Sequence, residues 1–206
     1  MIINWYGEGC FRMQFKEAAV LTDPIDSAAS GLKPTRVKTE IIIKTLTCLP
    51  LEKDQKENDS FLIQTAGEYE IKNIFIKGKA LTEESGEKFL KTVYLIEAEG
   101  LKILNLGHLS NPLDSKLFAD EEIDILIIPA GGEPFLNAKD AAKVINQLEP
   151  KIVIPSFYKV AGLKRKAEEL KDLLKEFGTT AEPVEKLNIR KKDLIEEETK
   201  IVALKI

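Results

Sequence analysis

Three residues of this chain could carry chemistry, and each follows an apolar segment. Asp23 follows residues 18–22, Cys48 follows the β-branched residues 41–43, and His108 follows residues 101–106. In α/β proteins, functional side chains are commonly placed where buried strands end. Asp23 precedes Pro24, which is typical of a turn, but its carboxylate could instead point into a site. An acid, a thiol and an imidazole are groups that acid–base or nucleophilic chemistry uses.

His108 is the one histidine among 206 residues. It could be a lone ligand, a general base or a loop histidine whose hydrogen bonds are satisfied, since a catalytic imidazole needs an orienting partner and a reacting group. Histidine is the commonest metal ligand. The count therefore excludes a site built from several histidines, and any catalysis would depend on carboxylates, cysteine, lysine or this imidazole.

The composition is ordinary for a globular protein, with 44% hydrophobic residues, 31% charged residues and a net charge of -4. This charge argues against a strongly basic face that binds nucleic acid. No apolar run approaches the roughly 20 residues of a membrane helix, and the first residues do not resemble a signal peptide. We therefore expect a cytoplasmic protein without membrane association, in which Cys10 and Cys48 are reduced.

Basic residues cluster between Lys159 and Lys166 and again at residues 190–192. Binding of nucleic acid through the first cluster is an alternative function. It is not favoured, because Glu168 and Glu169 follow the cluster closely and such runs are usually solvated faces.

The elements that must position these residues are mostly strands in the first half of the chain. Residues 39–51 indicate a buried strand that runs into a loop, and residues 27–38 and 53–60 indicate further loops. In the second half, strands at 123–129 and 151–155 flank a helix at 137–148 that Asn137 caps, which predicts a βαβ unit. A second helix is predicted from Leu163 to Phe177, closed by Gly178. Short strands at 184–189 and 201–206 complete a single domain, 1–206.

Taken in order, several segments resemble the metallo-β-lactamase superfamily. The resemblance is to the branch of small Zn-dependent hydrolases of the β-lactamase fold, which is similar to the ascorbate-phosphate lactonases. It implies an α+β fold, a four-layer αββα sandwich with two facing sheets and helices outside. The matching segments are NWYGEGCF at 4–11, LTDP at 21–24, GLKP at 31–34, EIIIKT at 40–45, AGEYEI at 66–71, LGHL at 106–109, IPAGG at 128–132 and PKIVIPSFYK at 150–159.

The same resemblance implies that the metal ligands are missing. The family's H-x-H-x-D-H loop follows the strand that matches residues 40–45, and here residues 46–51 read LTCLPL. A metal-bridging acid falls on His108, and a final histidine falls on Phe157. A further histidine expected after Gly78 is absent from residues 80–83, and only Asp23 matches an acid that supports the family's site. The resemblance thus implies that residues of another type stand at the family's metal-ligand positions. These residues are Leu46, Cys48, Pro50, Leu51, His108 and Phe157.

We therefore expect a protein that has lost the metal and acts by binding or interaction, without a cofactor, although zinc would be expected of the family. The alternative is a hydrolase with a weak or relocated site around Asp23, Cys48 and His108, where some residual metal could bind to Cys48 and His108. The sequence identifies no ligand and no partner, and association into a homo-oligomer is compatible with it.

Overall fold

Short apolar segments rich in β-branched residues form the strands of two facing sheets. The computed structural model of the protein describes residues 1–51, 56–57, 59–118, 120–194 and 198–206. The strands are β1 Ile2–Gly7, β2 Cys10–Gln14, β3 Ala19–Thr22, β4 Ile41–Ile43, β5 Leu46–Cys48, β6 Lys56–Glu57, β7 Ser60–Ile63, β8 Gly67–Ile71, β9 Ile74–Ala80, β10 Phe89–Ala98, β11 Leu101–Asn105, β12 Ile125–Pro129, β13 Ile152–Ser156, β14 Leu187–Asn188 and β15 Lys200–Ile201.

The first sheet has the order β14-β1-β2-β3-β4-β7-β6, and the second has the order β15-β13-β12-β11-β10-β9-β8, with β5 paired to β10. Both sheets are mixed. In the first, β3, β4 and β7 are parallel, and in the second, β11, β12, β13 and β15 are parallel. The segments that follow β3 and β4 in the first sheet and β11 and β13 in the second contribute residues to one cleft.

The main core lies between the sheets, because residues of one alternate set in each strand face the opposite sheet. Ile3, Met13 and Ile41 of the first sheet pack in this core with Ile76, Ile96 and others of the second. The helix α2, Ala138–Leu148, and the helix α3, Leu170–Glu176, cover the outer face of the second sheet. Asn137 caps α2 by accepting a hydrogen bond from the Asp140 amide at 2.9 Å, as predicted.

The outer face of the first sheet has a thinner cover. The segment between β3 and β4 contains the short helix α1, Ser27–Ser30, none of whose residues is buried. A small cluster of Cys10, Leu21 and Ile42 is covered there by side chains such as Ile25 and Val37 from the segment between β3 and β4. The predicted α+β sandwich is thus confirmed, with its helical layers unequal in size. In the residues that the structure describes, no helix is both long and apolar enough to cross a bilayer.

Several predicted elements were wrong in their limits. The helix predicted from Leu163 begins only at Leu170, and the loop predicted at 27–38 contains α1. Residues 46–48, expected in a loop, form β5, because β10 extends far enough to pair with them. The strands predicted at 184–189 and 201–206 shrink to β14 and β15, which lie in different sheets. Val184 and Leu204, outside both strands, form an isolated β-bridge. Part of the predicted charged loop at 53–60 lies outside the described residues.

Candidate functional site

Asp23, Thr45 and His108 form a chain of hydrogen bonds between the two sheets. The Thr45 amide donates to Asp23 Oδ1 at 2.7 Å, and the Thr45 hydroxyl donates to Asp23 Oδ2, also at 2.7 Å. Thr45 Oγ1 is in turn 2.7 Å from His108 Nδ1. One buried hydroxyl therefore bridges the carboxylate and the imidazole. Asp23 Oδ2 and His108 Nδ1 are themselves 3.8 Å apart.

The local backbone explains why these three side chains meet. Asp23 directly follows β3 and has a φ of 38°, and its amide donates to the Ile43 carbonyl at 2.9 Å, which fixes the end of β3 against β4. Gly107 approaches Thr45 so closely that an added Cβ would lie 2.2 Å from Thr45 Oγ1. Glycine at position 107 thus allows His108 to reach the threonine hydroxyl.

Burial sets the protonation of the two ends of this chain. Burial lowers the pKa of His108, although the charge of Asp23 opposes the change. Burial also raises the pKa of Asp23, against the opposing effects of His108 and of hydrogen bonds from Thr45. Because ordinary histidine titrates near 6.5, His108 is neutral at pH 7.

Aromatic rings pack around the imidazole. The ring centroid of His108 is 5.0 Å from that of Phe157 and 5.6 Å from that of Phe135, both in edge-to-face geometry. The two phenylalanine rings are 4.1 Å apart. Phe157 has a φ of 60°, an uncommon conformation for a residue with a side chain, and it is only 2% exposed. The position where the resemblance places the last histidine is therefore filled by a packed apolar ring.

Arg165 borders this aromatic cluster. Its guanidinium carbon lies 5.0 Å from the Phe135 centroid, and Nη2 donates to the Phe157 carbonyl. Nε and Nη2 also donate to the Glu8 carboxylate at 3.0–3.1 Å. Burial raises the pKa of Glu8, whereas the contacts with Arg165 lower it. This ion pair ties the segment after β13 to the β1–β2 turn.

These groups line a cleft of about 570 Å³, a size typical of small-molecule sites. Its lining mixes apolar side chains with the charged groups just described. The lining residues are Glu8, Gly9, Asp23, Pro24, Ile25, Asp26, Ala29, Ser30, Lys44, Leu46, His108, Phe135, Phe157 and Arg165.

Of the three residues proposed for chemistry, the structure brings Asp23 and His108 together but leaves Cys48 outside the residues that line the cleft. Cys48 lies in β5, paired with Phe89, and is exposed. Leu51 is 41% exposed and, like Pro50, is not among the lining residues. Leu46 and Phe157 do line the cleft. Both cysteines are free thiols.

The basic clusters are largely engaged in contacts within the chain. Lys164 Nζ donates to the Ala28 carbonyl at 3.0 Å, and Lys159 pairs with Glu169 at 3.4 Å. Arg165 is held by Glu8 as described above. These contacts give the cluster at 159–166 a structural role, and the absence of nucleic-acid binding stays a prediction.

Sequence reasoning missed Thr45, Phe135 and Arg165. Thr45 follows a buried strand just as Asp23 does, and its hydroxyl is the kind of group that orients a carboxylate, so its position was an available signal. Phe135 and Arg165 carry no local signal, because their role depends on segments that meet only in the folded chain.

The donor atoms near His108 do not suit a metal ion. Catalytic zinc takes three protein ligands and keeps an open position, but among the described residues no group of three or more His, Cys, Asp or Glu side chains could hold a metal. Both carboxylate oxygens of Asp23 and Nδ1 of His108 are already bonded to Thr45. Leu46 and Phe157 add only apolar surface. The residues present therefore do not fit the zinc that the resemblance implies.

Comparison with known proteins gives a consistent result across sequence and structure. A protein of Natranaerobius thermophilus named a metal-dependent hydrolase is 28% identical over 185 residues, which cover 77% of this chain and 83% of that protein. A crystal structure from Thermotoga maritima, described as a Zn-dependent hydrolase of the metallo-β-lactamase superfamily, matches with a TM-score of 0.80, 26% identity and full coverage of both chains.

A more distant structure shares the fold alone. A metallo hydrolase from Ignicoccus hospitalis has a TM-score of 0.67 at 13% identity, over 92% of this chain and 99% of that one. The family model described as the beta-lactamase superfamily domain matches residues 2–156. These residues include β1 to β13, both ends of the Asp23–His108 chain and Thr45 between them. The chain belongs to the metallo-β-lactamase superfamily.

Proposed function

We propose that this protein is a metal-independent member of its family, which binds a small ligand in the cleft around His108 and does not carry out metal-dependent hydrolysis. The observation that carries the proposal is the occupation of the cleft by Leu46 and Phe157, at positions where the resemblance places histidine ligands. With these two side chains in place, His108 is the only residue of the described lining that offers a neutral nitrogen ligand to a metal ion.

The chemistry of the remaining groups supports binding. Asp23 accepts two hydrogen bonds from Thr45, so the acid is used to fix the residues after β4. Glu8 and Arg165 neutralise each other. The alternative hydrolase around Asp23, Cys48 and His108 is weakened, because Cys48 does not line the cleft.

Elemental analysis of protein purified without chelator tests the proposal. We expect zinc, iron and manganese far below one equivalent, and we expect added zinc to leave the thermal unfolding midpoint unchanged, since a ligand that binds only the folded state would raise it. The Thermotoga maritima protein, purified in the same way, is a suitable comparison. One equivalent of any of the three metals in this chain would overturn the proposal.

A further inference from the structure

His108 presents one ring nitrogen to the cleft. Nδ1 is bonded to Thr45, and within the described part of the chain Nε2 has no protein partner. An unpartnered Nε2 that was fully buried would be an unsatisfied buried atom, and His108 contributes no such atom. Nε2 is therefore accessible to solvent. The side chain of His108 is 17% exposed and lines the cleft, so Nε2 can be reached from the cleft.

The hydrogen bonds of Thr45 decide whether Nε2 donates or accepts. The Thr45 hydroxyl has one proton, and it donates that proton to Asp23 Oδ2. Its oxygen can therefore only accept from His108, which places the histidine proton on Nδ1. A neutral imidazole protonated at Nδ1 carries a lone pair on Nε2. Thr45 and Asp23 thus set Nε2 as an acceptor for a donor group in the cleft.

The shape of the surrounding wall favours a flat ligand. Phe135 and Phe157 stand edge-on to His108 and line the same cleft. Leu46 and Ile25 add aliphatic surface to the lining. Flat aromatic molecules gain both buried apolar area and favourable ring contacts with such a wall.

The charges in the lining favour a neutral ligand. The Arg165 guanidinium is held by the Glu8 carboxylate, with Arg165 Nη2 3.0 Å from Glu8 Oε2. Asp26 Oδ1 accepts from the Ala28 amide at 2.8 Å and caps α1. Asp23 is bonded to Thr45. Each of these charged groups, and Lys44 on the same lining, already takes part in an interaction, so an ionic ligand would have to disrupt one of these interactions in order to bind.

We propose that His108 Nε2 is the hydrogen-bond acceptor that anchors the ligand, and that the ligand class is a small, neutral, planar ring compound carrying an N–H or O–H donor. The inference deepens the proposed function, because it depends on a cleft whose imidazole is not engaged by a metal. Thr45 is a positioning residue in this scheme, since it acts on the ligand only through the tautomer of His108.

Protein labelled with ¹⁵N-histidine tests the proposal directly, because the single histidine gives one pair of ring-nitrogen signals. In the free protein we expect Nδ1 to be protonated and Nε2 to be unprotonated. Indole and 1-methylindole are matched probes that differ in the N–H donor. We expect indole to shift the Nε2 signal and to bind about 3- to 10-fold more tightly, the value of one hydrogen bond.

Substitutions at Thr45 separate positioning from general stability. Thr45→Val removes the hydroxyl, so we expect both tautomers of His108 and the loss of the preference for indole over 1-methylindole. Thr45→Ser keeps the hydroxyl and should restore the Nδ1-protonated form and the preference. If Thr45→Val does not fold, the wild-type and Thr45→Ser titrations decide the question.

Two results would overturn the inference: a proton on Nε2 in the free protein, or no difference between indole and 1-methylindole, including no binding of either. The same sample separates this failure from failure of the proposed function. Stoichiometric binding of added zinc would contradict metal independence, whichever indole binds.

Discussion

Asp124 is a fully buried carboxylate that immediately precedes β12, at the end of this strand that lies away from the cleft. It accepts hydrogen bonds from Lys191 at 2.7 Å and from Lys151 and the Lys102 amide at 3.0 Å. Burial opposes the charge, but these hydrogen bonds outweigh it and hold the pKa of Asp124 below its usual value. The carboxylate thereby fastens the segment around Lys191 to the second sheet.

Asp124→Asn should lower the free energy of unfolding at pH 7 by about 2 kcal/mol, because the buried side chain loses charge-assisted hydrogen bonds, while the ammonium groups of Lys151 and Lys191 stay partly exposed to water. A depressed folded pKa stabilises the protein above the unfolded value, near 3.9, and this contribution is lost as the pH falls through the folded pKa. Urea unfolding at pH 7 and pH 3 should therefore show a smaller difference between variant and wild type at pH 3. An equal difference at both pH values would contradict this account.

The turn that follows β12 holds one wall of the cleft in place. Gly131 lies against the segment after β13, where an added Cβ would be 1.8 Å from the Phe157 carbonyl oxygen. The Gly131 carbonyl accepts from the Glu168 amide at 2.8 Å, and the Glu168 carboxylate accepts from the Ala138 amide at the start of α2. The turn thus holds Phe157, and with it one wall of the cleft.

Gly131→Ala should destabilise the fold by about 3 kcal/mol or more, because the clash is with backbone atoms that cannot rotate away. Gly178→Ala is the matched control: Gly178 has a φ of 68° but no neighbour within 4 Å of an added Cβ. There only the left-handed conformation is penalised, by about 1 kcal/mol. Thermal unfolding of the two variants should rank them in this order, and similar losses would argue against the close approach at Gly131.

The same region shows why sequence predicts elements better than their limits. The apolar spacing at 137–148 and the Asn137 cap predicted α2 correctly, since both signals are local. Residues 163–169 have helical spacing too, but Arg165 and Glu168 bind groups on distant segments, and these tertiary contacts prevail over local preference. The link between Asp23 and His108 through Thr45 was equally out of reach, because it joins residues 22 and 63 positions apart.

At the scale of the whole molecule, Tyr94 ties the two sheets together near the cleft. Its ring lies in the core between the sheets and is fully buried. Its hydroxyl is 3.3 Å from the Lys44 carbonyl and 3.2 Å from the Thr65 carbonyl, in segments that follow β4 and β7. The second sheet thereby supplies a hydrogen-bond donor to the loops of the first.

Tyr94→Phe keeps the ring and removes this donor, so we expect a loss of about 1 kcal/mol in the free energy of unfolding. Because Lys44 lines the cleft, binding of indole should weaken slightly as well. Tyr6→Phe is a control, since Tyr6 packs on the outer face of the first sheet. If Tyr94→Phe leaves the free energy of unfolding in urea unchanged, the hydroxyl does not help to hold the two sheets together.

The two thiols of the protein lie in different environments: Cys10 is in β2 of the first sheet, and Cys48 is in β5, which pairs with the second sheet. Cys10 is buried beneath the segment between β3 and β4, 3.2 Å from the Thr35 hydroxyl, and burial raises its pKa to about 12. Cys48 is exposed. An alkylating reagent should therefore modify Cys48 rapidly, and Cys10 only when the covering segment moves away from it. The rate of the slow phase of labelling should then measure local opening of the native state.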